Sequence, residues 1–135
     1  MMEDAEIAIM VLSSTAGTAR TVVDSLRSEG IKAGLIKPRL FRPFPAAEIL
    51  EITRNLKSLA ILDRSESFSA NGGPIFTETR STLYESELKP NIINYIYGLG
   101  GRDAGLKDIK KVFLELLDEK DIRSGVKIKY LGVRE

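Results

Sequence analysis

Acid–base work is the first chemistry open to this chain. It would fall to residues 63–68 (Asp63, Arg64, Ser65, Glu66, Ser67, Phe68), where two carboxylates flank a guanidinium just after an apolar run. Paired carboxyl groups serve as acid and base when their surroundings push their proton affinities apart. The chain has no His and no Cys, so neither of the usual partners for such a pair stands near it. Asp63 and Glu66 therefore read as loop solvation, with an ion pair to Arg64.

Phosphate binding is the second. Residues 13–18 (Ser13, Ser14, Thr15, Ala16, Gly17, Thr18) follow the first apolar run. Hydroxyls and free N–H groups at a helix start can cradle a phosphate, with Ser14, Thr15, Gly17 and Thr18 as the binding candidates. Alternatively, Ser14 or Thr15 simply caps the helix. Flavodoxins hold the phosphate of FMN on a similar turn, although here the glycine sits one position late. A flavodoxin-like module would bind FMN or a phosphorylated ligand at this turn, with Phe68 or Tyr97 stacking on a flavin. A later turn, Gly98-Leu99-Gly100-Gly101-Arg102-Asp103, offers Arg102 as a counter-charge but lacks the spacing of a dinucleotide or P-loop fingerprint. Its glycines equally suit a sharp structural turn.

Recognition of another protein is the third. In Arg39-Leu40-Phe41-Arg42-Pro43-Phe44-Pro45, two arginines and two aromatics sit on a proline-stiffened segment. Aromatics and Arg are enriched at interface hot spots, and a stiff segment loses little entropy on docking. Arg39, Phe41, Arg42 and Phe44, with Arg102, are the interface candidates. Phe41 and Phe44 can also tuck into the domain's own core, and the two roles are compatible.

Composition narrows the classes further. The 135 residues fit one domain, 1–135, and the balance of 20 basic against 19 acidic residues leaves a net charge of +1. No global field draws the chain to nucleic acid or an anionic membrane. The longest apolar run is too short to span a bilayer, and no signal-peptide pattern opens the chain, so a cytoplasmic location is expected. The chain starts almost directly at its first strand, as an excised domain would and as a small natural protein equally could. Without Cys there is no disulfide, thiolate nucleophile or cysteine-ligated cluster. Without His, the commonest zinc ligand and the usual neutral-pH base are missing.

The elements that must position these residues alternate regularly. Residues 5–12 (AEIAIMVL), 32–36, 58–62, 91–97 (NIINYIY) and 126–131 (VKIKYL) read as strands. The first is apolar throughout, as in a strand buried on both faces, and the last alternates with period two, as at a half-exposed edge. Between them lie helical stripes: Ala19, Val22, Val23 and Leu26, closed by Gly30; Ile49, Leu50, Ile52 and Leu56 after Pro45; Ile75, Phe76, Thr79 and Leu83 after Pro74; and Ile109, Val112, Phe113, Leu116 and Leu117. Residues 63–73 read as loop. The order β-α-β-α-β-α-β-α-β predicts a three-layer α/β/α sandwich around an about five-stranded, mostly parallel sheet. Right-handed crossovers would bring the carboxyl ends of the strands to one edge.

Several pieces together resemble the domain that follows the thiamine-pyrimidine-side domain in the alpha region of pyruvate and other 2-oxoacid:ferredoxin oxidoreductases, itself similar to the C-terminal domain of transketolase. They are Ala16-Gly17-Thr18-Ala19-Arg20, the run from Leu35 to Pro45, Ala60-Ile61-Leu62-Asp63-Arg64, Gly72-Gly73-Pro74 and Tyr97-Gly98-Leu99-Gly100-Gly101-Arg102-Asp103. They fall in order over about residues 5–120. Residues 64–71 depart from the Gly-rich form expected there. The resemblance implies a non-catalytic assembly domain of an enzyme that oxidatively decarboxylates a 2-oxoacid to an acyl-CoA. It implies that thiamine diphosphate, magnesium, iron–sulfur clusters and coenzyme A are held elsewhere, and that no cofactor is bound by this domain. The implied partners are the thiamine-binding N-terminal domain of the alpha subunit, the beta, gamma and delta subunits and, indirectly, ferredoxin. No catalytic residue is carried over.

Overall fold

The structure, a computed structural model, describes residues 2–11, 15–38, 45–64, 72–84, 86–87, 90–97, 105–118 and 128–131. Nine elements follow in the predicted order: β1 (Ile7–Val11), α1 (Thr15–Ser28), β2 (Ala33–Ile36), α2 (Ala46–Thr53), β3 (Ser58–Asp63), α3 (Pro74–Leu83), β4 (Asn91–Ile96), α4 (Leu106–Leu117) and β5 (Ile128–Tyr130). The strands form a five-stranded sheet in the order β2-β1-β3-β4-β5. Every pairing is parallel, with Ile7 opposite both Ala33 and Ser58, Asp63 opposite Ile96, and Asn94 opposite Ile128.

The apolar runs become strands because both sheet faces are covered. Ile7, Ile9, Val11, Ala60, Leu62 and Tyr95 point into one core with α1 and α4. Ala8, Met10, Leu59 and Ile61 point into the other, with Ile49 of α2 and Ile75 and Phe76 of α3. Period-two alternation thus buries every residue of β1 and β3.

Helix α1 ends as its sequence demands. Gly30 has φ +87°, its N–H donates to the Arg27 carbonyl, and the Ile31 N–H reaches back to the Leu26 carbonyl at 3.0 Å. This is the Schellman arrangement, which satisfies the last carbonyls at a residue able to adopt the left-handed region. From the same turn, the Arg27 guanidinium donates to the Ala33 carbonyl at 2.6 Å and to Asp4 at 2.9 Å, tying the helix end to edge strand β2.

Four expectations need correction. Leu117, read with the core stripe of the fourth helix, faces outward instead. Helix α2 stops at Thr53, so its buried stripe is Ile49 and Thr53. Leu50 faces outward, and Leu56 is buried from beyond the helix. Asp63 is the last residue of β3, not a loop residue. The crossovers, finally, do not share one hand. The β1-α1-β2, β2-α2-β3 and β3-α3-β4 units agree with one another. In β4-α4-β5, however, the helix lies on the α1 face although the strand order continues in the β3-to-β4 direction. That reverses the hand of the fourth unit, against the strong right-handed preference of such connections. Two contacts hold α4 there: the Tyr95 hydroxyl donates to the Glu115 carboxylate at 3.2 Å, and Lys129 of β5 pairs with the same carboxylate at 3.6 Å.

Candidate functional site

In an open parallel sheet, ligands and partners meet the carboxyl ends of the strands, most of all where the strand order reverses. Here the reversal lies between β1 and β3. Val11, Ile36, Asp63 and Ile96 end their strands at this edge, and Thr15, Ala46, Pro74 and Leu106 begin the helices that return from it. The described polar groups at this edge converge on Asp63 and Asn94, which are 2% and 0% exposed.

The Asp63 carboxylate caps a helix on another element. Its Oδ1 accepts from the Ile75 N–H at 2.9 Å, and its Oδ2 accepts from the Phe76 N–H at 3.1 Å and from the Asn94 amide at 3.0 Å. Ile75 and Phe76 sit in the first turn of α3, whose N-cap is Gly73 and whose first residue is Pro74. Gly73 has no side chain with which to cap the helix, so β3 supplies the acceptor, where the helix dipole also favours negative charge. The Asn94 amide closes the ring. Its Nδ2 donates to the Ile61 carbonyl at 2.8 Å as well as to Asp63, and its Oδ1 accepts the Gly73 N–H at 2.8 Å. Donors and acceptors around Asn94 fix its orientation.

Two glycines make this packing possible. A Cβ on Gly73 would collide with the Asp63 side chain. Gly72 has φ +93°, and a Cβ there would lie 2.5 Å from Phe76 and 2.9 Å from the Asn94 oxygen. Burial pushes the Asp63 carboxyl above its ordinary value of 3.8, while the bonds from Ile75, Phe76 and Asn94 pull it partly back. All three neighbours are donors, which matches the ionised form. Among the described residues no buried side-chain polar atom lacks a partner. Three structural donors already hold this carboxylate, and at 2% exposure it is closed off from any substrate.

The structure thus corrects the reading of Asp63 as a solvated loop acid paired with Arg64. Arg64 instead lies over the Tyr97 ring, 5.0 Å from its centroid. Tyr97 is 2% exposed, so it offers no face to a flavin. In the hydroxyl-rich turn, Thr15 is buried at the start of α1, Gly17 is exposed and Thr18 is half-buried. Ser13 and Ser14 lie outside the described residues, as do Glu66, Phe68 and the interface candidates Arg39, Phe41, Arg42, Phe44 and Arg102. Sequence reasoning missed the Asp63–Asn94 ring. Its one signal was an Asn inside an otherwise apolar strand, which needs a partner if buried.

The family model described as "Pyruvate:ferredoxin oxidoreductase core domain II" matches residues 5–109. The chain is 41% identical over 128 residues to pyruvate synthase subunit PorA of Methanosarcina barkeri, covering 95% of this chain and 31% of that one. It is 45% identical over 124 residues to ketoisovalerate oxidoreductase subunit VorA of Pyrococcus furiosus, covering 92% and 31%. It is 40% identical over 114 residues to the alpha subunit of NADH-dependent phenylglyoxylate dehydrogenase of Aromatoleum evansii, covering 84% and 27%. The chain therefore spans less than a third of the length of these relatives. Among solved structures, it superposes on a chain of the 2-oxoglutarate:ferredoxin oxidoreductase of Magnetococcus marinus with TM-score 0.58 at 20% identity, covering 89% of this chain and 18% of that one. That likeness is one of fold.

Proposed function

Because this chain belongs to the pyruvate:ferredoxin oxidoreductase core domain II family, we propose that it is a scaffold domain of a 2-oxoacid:ferredoxin oxidoreductase, contributing shape and contacts but no reacting group. The observation that carries this reading is the consumption of Asp63, the buried acid of the carboxyl edge, in capping α3. The relatives support it as well. Proteins named for pyruvate, ketoisovalerate and phenylglyoxylate keep this region at 40–45% identity. A region so alike across different 2-oxoacids is a poor place for substrate choice and a good one for shared architecture.

In this proposal thiamine diphosphate, magnesium, the iron–sulfur clusters and coenzyme A are held by other domains and subunits. The chain has no Cys with which to ligate a cluster. The carboxyl edge faces the thiamine-binding N-terminal domain of the alpha subunit, with Arg39, Phe41, Arg42, Phe44 and Arg102 as contacts. The beta, gamma and delta subunits complete the assembly, and ferredoxin meets it indirectly. Among the described residues no helix is long and apolar enough to cross a membrane, and the proposed assembly works in the cytoplasm.

The test is reconstitution. The chain alone should show no 2-oxoacid oxidation and no quenching of added FMN. Added to the remaining subunits it should restore turnover, and R42A with F44A should weaken that restoration. Turnover by the isolated chain would overturn the scaffold reading.

A further inference from the structure

Helix α4 buries one side and leaves a second apolar side uncovered. Ile109, Val112, Phe113 and Leu116 face the core, whereas Leu106, Leu114 and Leu117 are 54%, 51% and 46% exposed. Successive helical residues lie about 100° apart, so Leu106, Lys110, Leu114 and Leu117 share one stripe about 16 Å long. Beside the stripe, α1 and α4 enclose a groove of about 220 Å³, floored by Val22 and Leu26 and walled by Thr21, Ser25, Leu106 and Lys110.

The rim of this surface is basic. Lys107, Lys110 and Lys111 have no carboxylate partner among the described residues, whereas Lys32 and Lys57 pair with Glu6 and Lys129 pairs with Glu115. The one acid in the first turn of α4, Asp108, is engaged by the Gly105 N–H at 3.0 Å. Lys107, Lys110 and Lys111 thus put positive charge beside the stripe, on a helix that also carries Asp108 and Glu115.

We propose that the α1–α4 face docks an amphipathic helix of a partner subunit, one with an apolar ridge flanked by Asp and Glu. The stripe length suits about three helical turns, and the groove between α1 and α4 is an apolar trough of the kind into which an amphipathic helix lays its ridge. The lysines, without a carboxylate partner among the described residues, choose the partner's charge. This rests on the scaffold reading in one respect only: it takes the chain to be part of a multi-subunit assembly. The surface is built from α1 and α4 and uses none of the contact residues that the scaffold reading names.

The test combines K107E/K110E/K111E, L114E and hydrogen exchange on the whole chain mixed with the remaining oxidoreductase subunits. All four positions are exposed, and circular dichroism should show both variants folded like the wild type. Support would be slowed exchange along α4 in the complex, an affinity that falls with salt, and a loss of roughly tenfold or more for each variant. Wild-type assembly with α4 exchange unchanged and both variants binding normally would overturn this inference and leave the scaffold reading standing. Failure of the wild type to assemble at all would overturn both. Light scattering that shows a dimer abolished by L114E would give the face to a second copy, and binding of the chain to phosphatidylserine vesicles would give it to a membrane. Either result would sink the partner helix.

Discussion

Asp63 is costly to bury and costly to remove. Its charge has left water, but three donors face it, and truncation would strand them. Asp63→Ala should therefore destabilise the domain by about 3 kcal/mol or more in urea unfolding, because each orphaned buried donor carries a desolvation penalty of its own. Asp63→Asn keeps the shape but turns an NH₂ toward groups that are all donors, and should cost about 1–3 kcal/mol. The sign of the pH effect follows from the raised carboxyl. Where the folded state holds its proton more tightly than the unfolded chain, stability is greatest below the ordinary value of 3.8 and declines as pH rises through the raised one. The advantage of wild type over Asp63→Asn should shrink as pH climbs through that window. An advantage that grew instead would mean the donors outweigh burial. The glycines offer a matched comparison. Gly30 and Gly72 both have positive φ, but nothing surrounds Gly30, whereas Phe76 and Asn94 crowd Gly72. Gly30→Ala should cost about 1 kcal/mol from backbone strain alone. Gly72→Ala should cost clearly more, since packing strain adds to it.

At the scale of elements, what could be read from the sequence was what repeats. A strand buried on both faces writes itself as an apolar run, as in β1 and β3, and α1 announced both its stripe and its closing glycine. Helix α2 was overread because Leu50 and Leu56 continue a helical spacing that the chain abandons at Thr53. The Asp63–Asn94 ring was illegible for a different reason. Its members are 31 residues apart and meet only because β3 and β4 pair with Asp63 opposite Ile96 and Ile61 opposite Asn94. A shift of that register by one residue would turn Asn94 to the other face. Asn94→Leu should thus free the Gly73 N–H and remove a donor from Asp63 together. Hydrogen exchange should then quicken most in the first turn of α3, with little change in α1. An even loss across the sheet would show that the ring acts as generic core packing and not as a local clamp on α3.

For the whole molecule, the least legible feature was which side of the sheet α4 would take. Its pattern of Ile109, Val112, Phe113 and Leu116 fits either face, since an apolar stripe records that a helix packs and not on which layer. The general preference for right-handed crossovers gave the wrong side. What decides it lies in three elements at once: Tyr95 on β4 and Lys129 on β5 both reach Glu115 on α4, and Leu131, just past β5, is buried in the same core. Helix α4 and strand β5 should therefore stabilise each other. Ending the chain after residue 118 removes Lys129 and Leu131 while leaving β1 to β4 paired. Such a truncation should still fold but unfold at lower denaturant, with α4 the first element to lose exchange protection. Glu115→Gln in the full chain should reproduce a smaller part of that loss, of order 1 kcal/mol or less, because the pair is partly solvated. If the truncated chain kept full stability and α4 stayed protected, β5 would be an ornament of the sheet edge, and the reversed crossover would need another cause.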